Sequence, residues 1–490
     1  MLIVQKLALN WHIGTTMTKI PESPPSLELY LQQVGDEPGK MLETMKCFHS
    51  PAVGPVDAKR RYLHWEKVKH LEPPEGYTPE LYWHAMKASR TAIRRNLPLI
   101  TKESAFPSEA QEQPVVTFWF CMPDPLLTKV MWISEQASDA LVGEPSLTDD
   151  KARQRHIINS LIDEAIYSSQ IEGASTTRAV AREMIRTERK PLDVSEQMIV
   201  NNYRAMLFIK DHAEDDLTPA MVFALHTILV EGTDIPVDRV GVFRKTDDGI
   251  VVGDDMTGNP LHIPPPVEQL DLRLQWLCNF VNGKVTAFHK GGIASEFLPP
   301  VVKAIVAHFM IGFDHPFYDG NGRTARALFY WIMVREGLWL MEHLSISSEI
   351  KKSPDSYLKA YLHTETDECD VTYFLMHQLD VIVKAIEGLK ERLREKAAEL
   401  HETEALLAGS PLGGALSHRQ LALLQNALKN PGQNYTVKSH MNSHRIAKQT
   451  ARNDLVELAE SYGLLTVGKQ GRTAVFTAPS DLLERIKKVC

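Results

Sequence analysis

Residues 314–326 of this chain read DHPFYDGNGRTAR, a run that combines a base with groups that bind anions. His315 has a side chain whose ordinary pKa suits it to accept a hydroxyl proton near neutral pH. Gly320 and Gly322 tolerate backbone conformations and close approaches that a side chain would block, so main-chain N–H groups can converge on phosphate oxygens. The stretch therefore predicts an anion-binding loop with a base beside it.

The flanking sequence predicts two buried helices that position this loop. PPVVKAIVAHFMIGF, from Pro299, begins with prolines and then runs apolar, and TARALFYWIMVRE follows the loop. The second helix should begin at residues 321–323 and point its positive end at the anion. Arg323 and Arg326, three residues apart, share one helix face and can hold two different phosphates. Asp319 supplies a carboxylate, which Mg²⁺ typically takes together with substrate phosphates.

This pattern resembles the Fic family motif HxFx(D/E)GNGRxxR, which is matched at every specified position from His315 to Arg326. The resemblance implies a mostly α-helical core with a small β-hairpin flap, and transfer of AMP from ATP to a hydroxyl side chain of a protein. It makes His315 the base and Asp319 the Mg²⁺ ligand. The implied nucleotide-binding residues are Phe317, Asp319, Gly320, Asn321, Gly322, Arg323, Arg326 and Tyr357. Among them, Asn321 and the loop amides would cradle the α-phosphate, and the two arginines would hold the β- and γ-phosphates.

A second short motif lies upstream, in a predicted amphipathic helix at about 151–173. Residues 168–173, SSQIEG, match the inhibitory (S/T)xxxE(G/N) motif of Fic proteins that carry their inhibitor before the core. The resemblance implies that Ser168, Glu172 and Gly173 are inhibitory, with the Glu172 carboxylate paired to Arg326 where the γ-phosphate would bind. The alternative is a surface glutamate at a helix end.

Two further features depend on the same resemblance. Tyr357 corresponds to one of two adjacent tyrosines that flank the nucleotide base in relatives, but its neighbour here is Ser356. Tyr361, one turn on, can substitute, and a core tyrosine is the alternative for both. Residues 241–266 predict a hairpin, which would either pair with the main chain of the target protein or simply cover the core.

Length and composition limit the remaining interpretation. A chain of 490 residues should hold about three domains. The five cysteines form no CxxC pair, and no run of 18 apolar residues or export signal occurs, so we expect a cytoplasmic protein without a membrane anchor. The predicted division is a loose leader at 1–60, an N-terminal helical region at 61–215, the Fic catalytic core at 216–388, a connecting helix and linker at 389–416, and a winged-helix domain at 417–490.

The last of these domains is basic, although the whole chain has a formal net charge of −8. Its predicted order of helices and strands resembles a winged helix-turn-helix. The residues that can contact duplex DNA are Arg445, Lys448, Thr450 and Arg452 on a helix, with Lys469 and Arg472 on the wing. Winged helices also bind proteins, so the sequence leaves both uses open.

Taken together, the sequence predicts a protein adenylyltransferase that uses ATP and Mg²⁺, is autoinhibited by Glu172, and modifies a Ser, Thr or Tyr hydroxyl of a target protein or of itself. A homodimer is a candidate assembly. The alternatives are a DNA-binding regulator whose Fic core senses nucleotide, and an enzyme that removes AMP or transfers another phosphate-linked group.

Overall fold

The computed structural model describes residues 19–35, 38–101, 117–139, 150–253, 258–284, 298–408, 414–470 and 473–488. The described chain is mostly helical, with small antiparallel sheets. It divides into two compact units. The first comprises residues 1–138, 164–175 and 193–385, and the second comprises 139–163, 176–192 and 386–490. None of the described helices is both long enough and apolar enough to cross a membrane.

The first unit contains most of the helices, and α6 and α15 contribute to both units. The helices are α1 (Leu27–Gly35), α2 (Pro38–Phe48), α3 (Trp65–Val68), α4 (Pro79–Ala92), α5 (Asp124–Asp139), α6 (Asp150–Ile171), α8 (Val194–Asp211), α9 (Pro219–Val230), α10 (Leu270–Val281), α11 (Pro300–Asp314), α12 (Asn321–Arg335), α13 (Ile346–Ile350), α14 (Pro354–Thr366) and α15 (Thr372–Ala408). Two antiparallel strand pairs accompany them, β1 (Arg94–Ile100) with β2 (Thr117–Cys121) and β3 (Val252–Gly253) with β4 (Pro260–His262).

The second unit holds a three-stranded antiparallel sheet with the strand order β5-β7-β6. Its elements are α7 (Arg178–Thr187), α16 (His418–Lys429), β5 (Asn434–Thr436), α17 (Val437–His444), α18 (Lys448–Val456), β6 (Thr466–Gln470), β7 (Thr473–Thr477) and α19 (Leu482–Lys488). Leu424, Leu455 and Leu464 belong to a hydrophobic core between these helices and the sheet. α7 and part of α6 belong to this unit together with residues 386–490.

The centre of the first unit is formed by α11 and α12, whose side chains are almost all buried. Pro300 opens α11, where its fixed φ suits a helix start and its missing N–H costs no hydrogen bond. α9 begins in the same way, with the Thr218 hydroxyl accepting a hydrogen bond from the Met221 N–H and Pro219 as the first helical residue. Capping therefore fixes where the helices around the loop start, and the apolar faces determine which way they pack.

Two parts of the N-terminal region differ from the predictions. Helices α1 and α2 lie within the segment that was expected to be loose, and tertiary contacts hold them: the Tyr77 hydroxyl donates to the Cys47 carbonyl, and Tyr30 packs on the His84 ring. The region expected to be helical also contains the β1–β2 pair. Pro98 within β1 weakens any strand signal in the sequence, and cross-strand pairing with β2 decides the structure instead. Residues 1–18 and 36–37 of the predicted leader lie outside the described residues.

Candidate functional site

The loop between α11 and α12 turns through two left-handed residues. His315 caps α11 with φ 45°, and Gly320 precedes α12 with φ 83°. A non-glycine residue at positive φ is strained, at a cost of about 1 kcal/mol or more, and needs its surroundings to hold it. Arg244 does so: its Nε–H donates to the His315 carbonyl at 2.8 Å, and its main-chain N–H donates to the Pro316 carbonyl at 2.9 Å.

The hydrogen-bond partner of His315 indicates which of its ring nitrogens carries the hydrogen. Its Nδ1 lies 3.3 Å from the Gly312 carbonyl oxygen, and because a carbonyl can only accept, Nδ1 carries the hydrogen. The Nε2 lone pair is therefore the one that can take a proton. Burial, assisted by the nearby His262, lowers the pKa of His315 to about 4. The ring is neutral at physiological pH.

Asp319 and Arg323 form the charged edge of the loop. The Asp319 side chain is 40% exposed, and its Oδ2 lies 3.1 Å from Nη2 of the buried Arg323. Arg323 also donates through Nη1 to the Leu229 carbonyl at 3.1 Å, while its Nε–H has no hydrogen-bond partner within the described part of the chain. The site thus combines an accessible carboxylate with a buried guanidinium whose hydrogen-bonding capacity is not fully used.

Asn321 has partners other than those expected from the sequence. Its side-chain carbonyl accepts from the Phe317 N–H and its amide donates to the Phe317 carbonyl, both at 2.9 Å. Phe317 is fully buried and stacks on His226, with ring centroids 3.8 Å apart. Asn321 thus braces the loop and Phe317 anchors it in the core, and contact between these two residues and a nucleotide stays a prediction.

Helix α6 lies against α12 through residues spaced four apart on both helices. Arg326 donates to the Ser168 hydroxyl at 2.9 Å, to the Ser168 carbonyl at 3.0 Å, and to Glu172 Oε1 at 2.8 Å. One turn further along α12, the Tyr330 hydroxyl donates to Glu164 at 2.9 Å. The residue numbers rise along α6 as they fall along α12, so the two facing stretches run antiparallel.

Glu172 lies directly over the N-terminus of α12. A Cβ atom added at Gly322 would sit 2.2 Å from Glu172 Oε1, so only glycine permits this approach. The side chains of Glu172 and Arg326 are 3% and 1% exposed. Burial alone would lower the pKa of Arg326, but the Glu172 carboxylate, together with Tyr357 and Glu164, outweighs burial and the pKa is raised. Gly173 follows the helix in the left-handed region, with φ 94°.

Tyr357 is a core residue in this structure. It is 4% exposed, its hydroxyl lies 2.8 Å from Nε2 of His308, and Phe374 packs beside it. Tyr361 is stacked on Phe309 behind it. Both rings pack in the core, and the Tyr357 hydroxyl also interacts with the Arg326 side chain, so contact between Tyr357 and a nucleotide base stays a prediction.

Three residues that contact this site were missed from the sequence. His226 and Arg244 contact the loop main chain, and Glu164 holds α6 to the core. A signal existed for two of them. His226 interrupts the apolar run of α9, and Glu164 precedes Ser168 and Glu172 by one and two helical turns on the same face. Nothing local marks Arg244.

Comparison with known proteins bears on the region that carries this loop. Residues 216–333 match the Fic/DOC family. The Culex quinquefasciatus "Protein adenylyltransferase Fic" is 25% identical over 293 residues, which cover 58% of this chain and 52% of the relative. The protein of the same name from Drosophila grimshawi is 29% identical over 177 residues, which cover 35% of this chain and 32% of that one. The chain thus spans about half, or less, of the length of these curated relatives.

Solved Fic structures also align with the chain. A Fic family protein from Desulfovibrio desulfuricans G20 aligns with a TM-score of 0.44 at 18% identity, covering 72% of this chain and 95% of that one. Two forms of Fic-1 from C. elegans align with TM-scores of 0.41 and 0.39, at 17% and 18% identity, and cover 56% and 55% of this chain.

The geometry of the loop 315–326 defines what the site can do. A neutral imidazole with a free Nε2, a half-exposed carboxylate, a helix N-terminus and two buried arginines line one loop. A helix N-terminus and guanidinium groups bind phosphate oxygens, and an imidazole accepts a proton from a hydroxyl. The arrangement suits transfer of a phosphate-linked group to a hydroxyl, with Glu172 occupying the anion-binding end.

Proposed function

We propose that this protein transfers AMP from ATP to a hydroxyl side chain of a target protein or of itself. The observation that carries the proposal is the loop 315–326, where His315 Nε2 is free to accept a proton beside the N-terminus of α12. The match of residues 216–333 to the Fic/DOC family and the names of the relatives support the same reaction.

In the proposed reaction, the target hydroxyl oxygen attacks the α-phosphorus of ATP. The new P–O bond forms as the bond between the α-phosphorus and the bridging oxygen to the β-phosphate breaks, and pyrophosphate leaves with that electron pair. His315 Nε2 takes the hydroxyl proton. The N-terminus of α12, with Arg323 and Arg326, holds the negative charge of the phosphates. Asn321 shapes the loop by bracing the Phe317 main chain, and with the loop amides it would cradle the α-phosphate.

The residues present fit a magnesium ion bound together with ATP. Asp319 offers a carboxylate that is 40% exposed, and Arg323 contacts it only through Oδ2. Mg²⁺ binds one or two carboxylates and completes its shell with phosphate oxygens and water. When bound, the ion would neutralise charge on the departing pyrophosphate, and Asp319 would hold it.

Glu172 is proposed to inhibit this reaction. Its carboxylate takes the Arg326 guanidinium and lies against Gly322, at the end of α12 where a phosphate would bind. Ser168 accepts two further hydrogen bonds from the same guanidinium, and Gly173 ends the inhibitory helix. A γ-phosphate must therefore compete with a carboxylate that is already placed and largely desolvated.

The proposal is tested in the Glu172→Gly variant, which lacks the proposed inhibitory carboxylate, with ATP labelled at the α- or the γ-phosphate. We expect α-label, and no γ-label, to appear on protein, and His315→Ala to abolish it while leaving ATP affinity largely unchanged. A nucleotide sensor would bind ATP without labelling protein, and a de-AMPylating enzyme would remove AMP from a labelled target. Near wild-type labelling by His315→Ala would show that His315 is not the base.

We also propose that residues 417–490 form a winged helix-turn-helix that binds duplex DNA. Its elements follow in the order α16, β5, α17, α18, β6, β7, which suits that fold. Lys448 and Arg452 are exposed on α18. The neighbouring helix α17 is already engaged, since Lys438 and Asn442 donate to main-chain carbonyls of α7. Of these two helices, α18 therefore has the basic face that we propose binds the nucleic acid.

A salt titration of DNA binding by the whole chain tests this second proposal. Lys448→Ala and Arg452→Ala should each reduce the slope of log affinity against log salt by about 1. Lys438→Ala, on the α7 side, is the matched control and should leave the slope unchanged. Of the other predicted contacts, Arg445 and Lys469 are exposed, Thr450 is half-buried and Arg472 lies outside the described residues. Binding that ignores salt, or no binding at low salt, would favour a protein-docking domain.

A further inference from the structure

His226, on α9, contacts the loop with both its face and its edge. The ring is fully buried and stacks on Phe317 with a centroid distance of 3.8 Å and an interplanar angle of 6°. Its Nε2 lies 2.9 Å from the main-chain carbonyl oxygen of Asp319. One side chain thus touches two residues of the loop that carries the proposed metal ligand and leads into α12.

The hydrogen-bond partners fix which nitrogen of His226 carries the hydrogen. The Gly241 N–H donates to Nδ1 at 3.1 Å, and a main-chain N–H can only donate, so Nδ1 is the acceptor. The hydrogen is therefore on Nε2 and is donated to the Asp319 carbonyl, which can only accept. Both ring nitrogens are used, and the orientation of the ring is determined from two sides.

Gly241 lies in the segment that leads into the β3–β4 hairpin, and this position is called the root of the hairpin below. It has φ 67°, and a Cβ atom there would lie 2.2 Å from the Thr227 hydroxyl oxygen, so the main chain approaches α9 as closely as glycine allows. The same residue supplies the N–H that holds His226. His226 therefore connects the loop to the root of the hairpin through a chain of two hydrogen bonds.

We propose that His226 is a positioning residue for the adenylyl transfer proposed above. It fixes the Asp319 peptide against the root of the hairpin. This contact sets the direction in which the Asp319 carboxylate and the loop amides point. Through its face it also keeps Phe317, and with it the Asn321 brace, in place. His226 itself touches neither phosphate nor hydroxyl. The inference rests on the proposed function for its catalytic consequence, but the positioning of the loop does not depend on it.

Three substitutions separate the contacts. His226→Gln can keep a donor near the position of Nε2, His226→Asn can keep an acceptor near Nδ1, and His226→Phe keeps only the stacked ring. If the bond to Asp319 is the important one, Gln should retain most of the transfer rate while Asn and Phe lose it. A misplacement of about 1 Å can cost on the order of 100-fold, so we expect a loss of about 10- to 100-fold with ATP affinity changed by less than about threefold.

His64 offers a matched control. It too is a buried histidine with a stacked ring, 4.5 Å from that of His363, and with both nitrogens engaged, by the Glu66 N–H and the Thr366 hydroxyl. It contacts no residue of the loop. His64→Gln and His64→Phe should lower thermal stability as the His226 variants do, yet leave the transfer rate within about threefold of wild type at a temperature where all variants are folded.

The experiment measures AMP transfer in the Glu172→Gly background and, without nucleotide, hydrogen exchange of the amides of residues 315–322. The inference predicts faster exchange and slower transfer for His226→Asn and His226→Phe, and neither for His226→Gln or the His64 variants. Unchanged exchange in all three His226 variants, or equal losses in the His64 variants, would overturn it. If no variant transfers AMP, the proposed function fails, and the exchange result alone still decides whether His226 positions the loop.

Discussion

Glu164 lies on α6 and Glu172 directly follows the last residue of that helix, yet Glu164 is held by neutral donors and Glu172 by a charged one. Glu164 accepts from uncharged donors: the hydroxyls of Tyr330, Ser345 and Ser347 and the Ser347 N–H, at 2.5–3.1 Å. Glu172 accepts from the charged guanidinium of Arg326. The hydroxyl and N–H donors that hold Glu164 have no other ligand in the proposed reaction. The guanidinium that holds Glu172 would also bind a phosphate.

The difference separates attachment from inhibition along a single helix. The donors around Glu164 come from two segments, α12 and the residues that begin α13, and nothing in the proposed reaction competes for them. Arg326 is the group for which Glu172 and ATP would compete, because both offer it anionic oxygens. We therefore infer that Glu164 keeps α6 packed against α12 in both the inhibited and the active enzyme. Relief of inhibition then involves the Glu172 contact alone.

The largest expected effect is that of Glu172→Gly on AMP transfer. Removing the carboxylate frees Arg326 and the N-terminus of α12 while leaving His315 and Asp319 unchanged. If the inhibited state holds the phosphates out of line, the rate should rise by about 100-fold, with a smaller change in ATP affinity. The measurement is the initial rate of α-label incorporation at saturating Mg·ATP, and equal rates for Glu172→Gly and wild type would refute the inhibitory role.

The next effect is on stability and distinguishes the two glutamates directly. Glu164→Gln turns an amide N–H₂ toward hydrogen-bond donors, so we expect the free energy of unfolding to fall by about 3 kcal/mol. Glu172→Gln is the matched variant: its amide oxygen can still accept from Arg326, so the loss should be about 1 kcal/mol or less. Urea denaturation measures both. The comparison fails if Glu172→Gln is the more destabilised, or if Glu164→Gln raises transfer as much as Glu172→Gly does.

The smallest expected effect is the change with pH in the rate of AMP transfer by Glu172→Gly. Because burial lowers the pKa of His315 to about 4, its neutral, basic form predominates at every pH above that value. A histidine of ordinary pKa would be about three-quarters protonated at pH 6. Transfer by Glu172→Gly should therefore not fall between pH 8 and pH 6, and should decline only as the pH approaches 4. A fall centred near pH 6.5 would contradict the lowered pKa of His315.

The sequence was sufficient for the parts of this site that are local. The loop 315–326, the helices on either side of it and the Thr218 cap follow from residue types at short spacing. The nucleotide-binding roles of Asn321 and Tyr357 stay predictions, and the structure adds the Phe317 main chain and the His308 ring as partners that the sequence did not indicate.

Contacts between residues far apart in sequence account for what was missed. Arg244 reaches the His315 carbonyl, and Glu164 reaches donors on α12 and α13, across segments whose approach no local pattern predicts. Helices α1 and α2 belong to the same class, since docking contacts rather than composition stabilise them. The sequence therefore did not predict contacts whose two residues are distant in sequence.

The measurement that tests the central claim most directly is a double-mutant cycle between Glu172 and Arg326, read as α-label incorporated from Mg·ATP. Glu172→Gly should raise transfer, and Arg326→Ala should abolish that gain in the double variant, because the group that Glu172 releases is then missing. The two effects must be strongly non-additive. If Glu172→Gly raises transfer equally with and without Arg326, the carboxylate does not act by occupying this guanidinium, and the account is wrong.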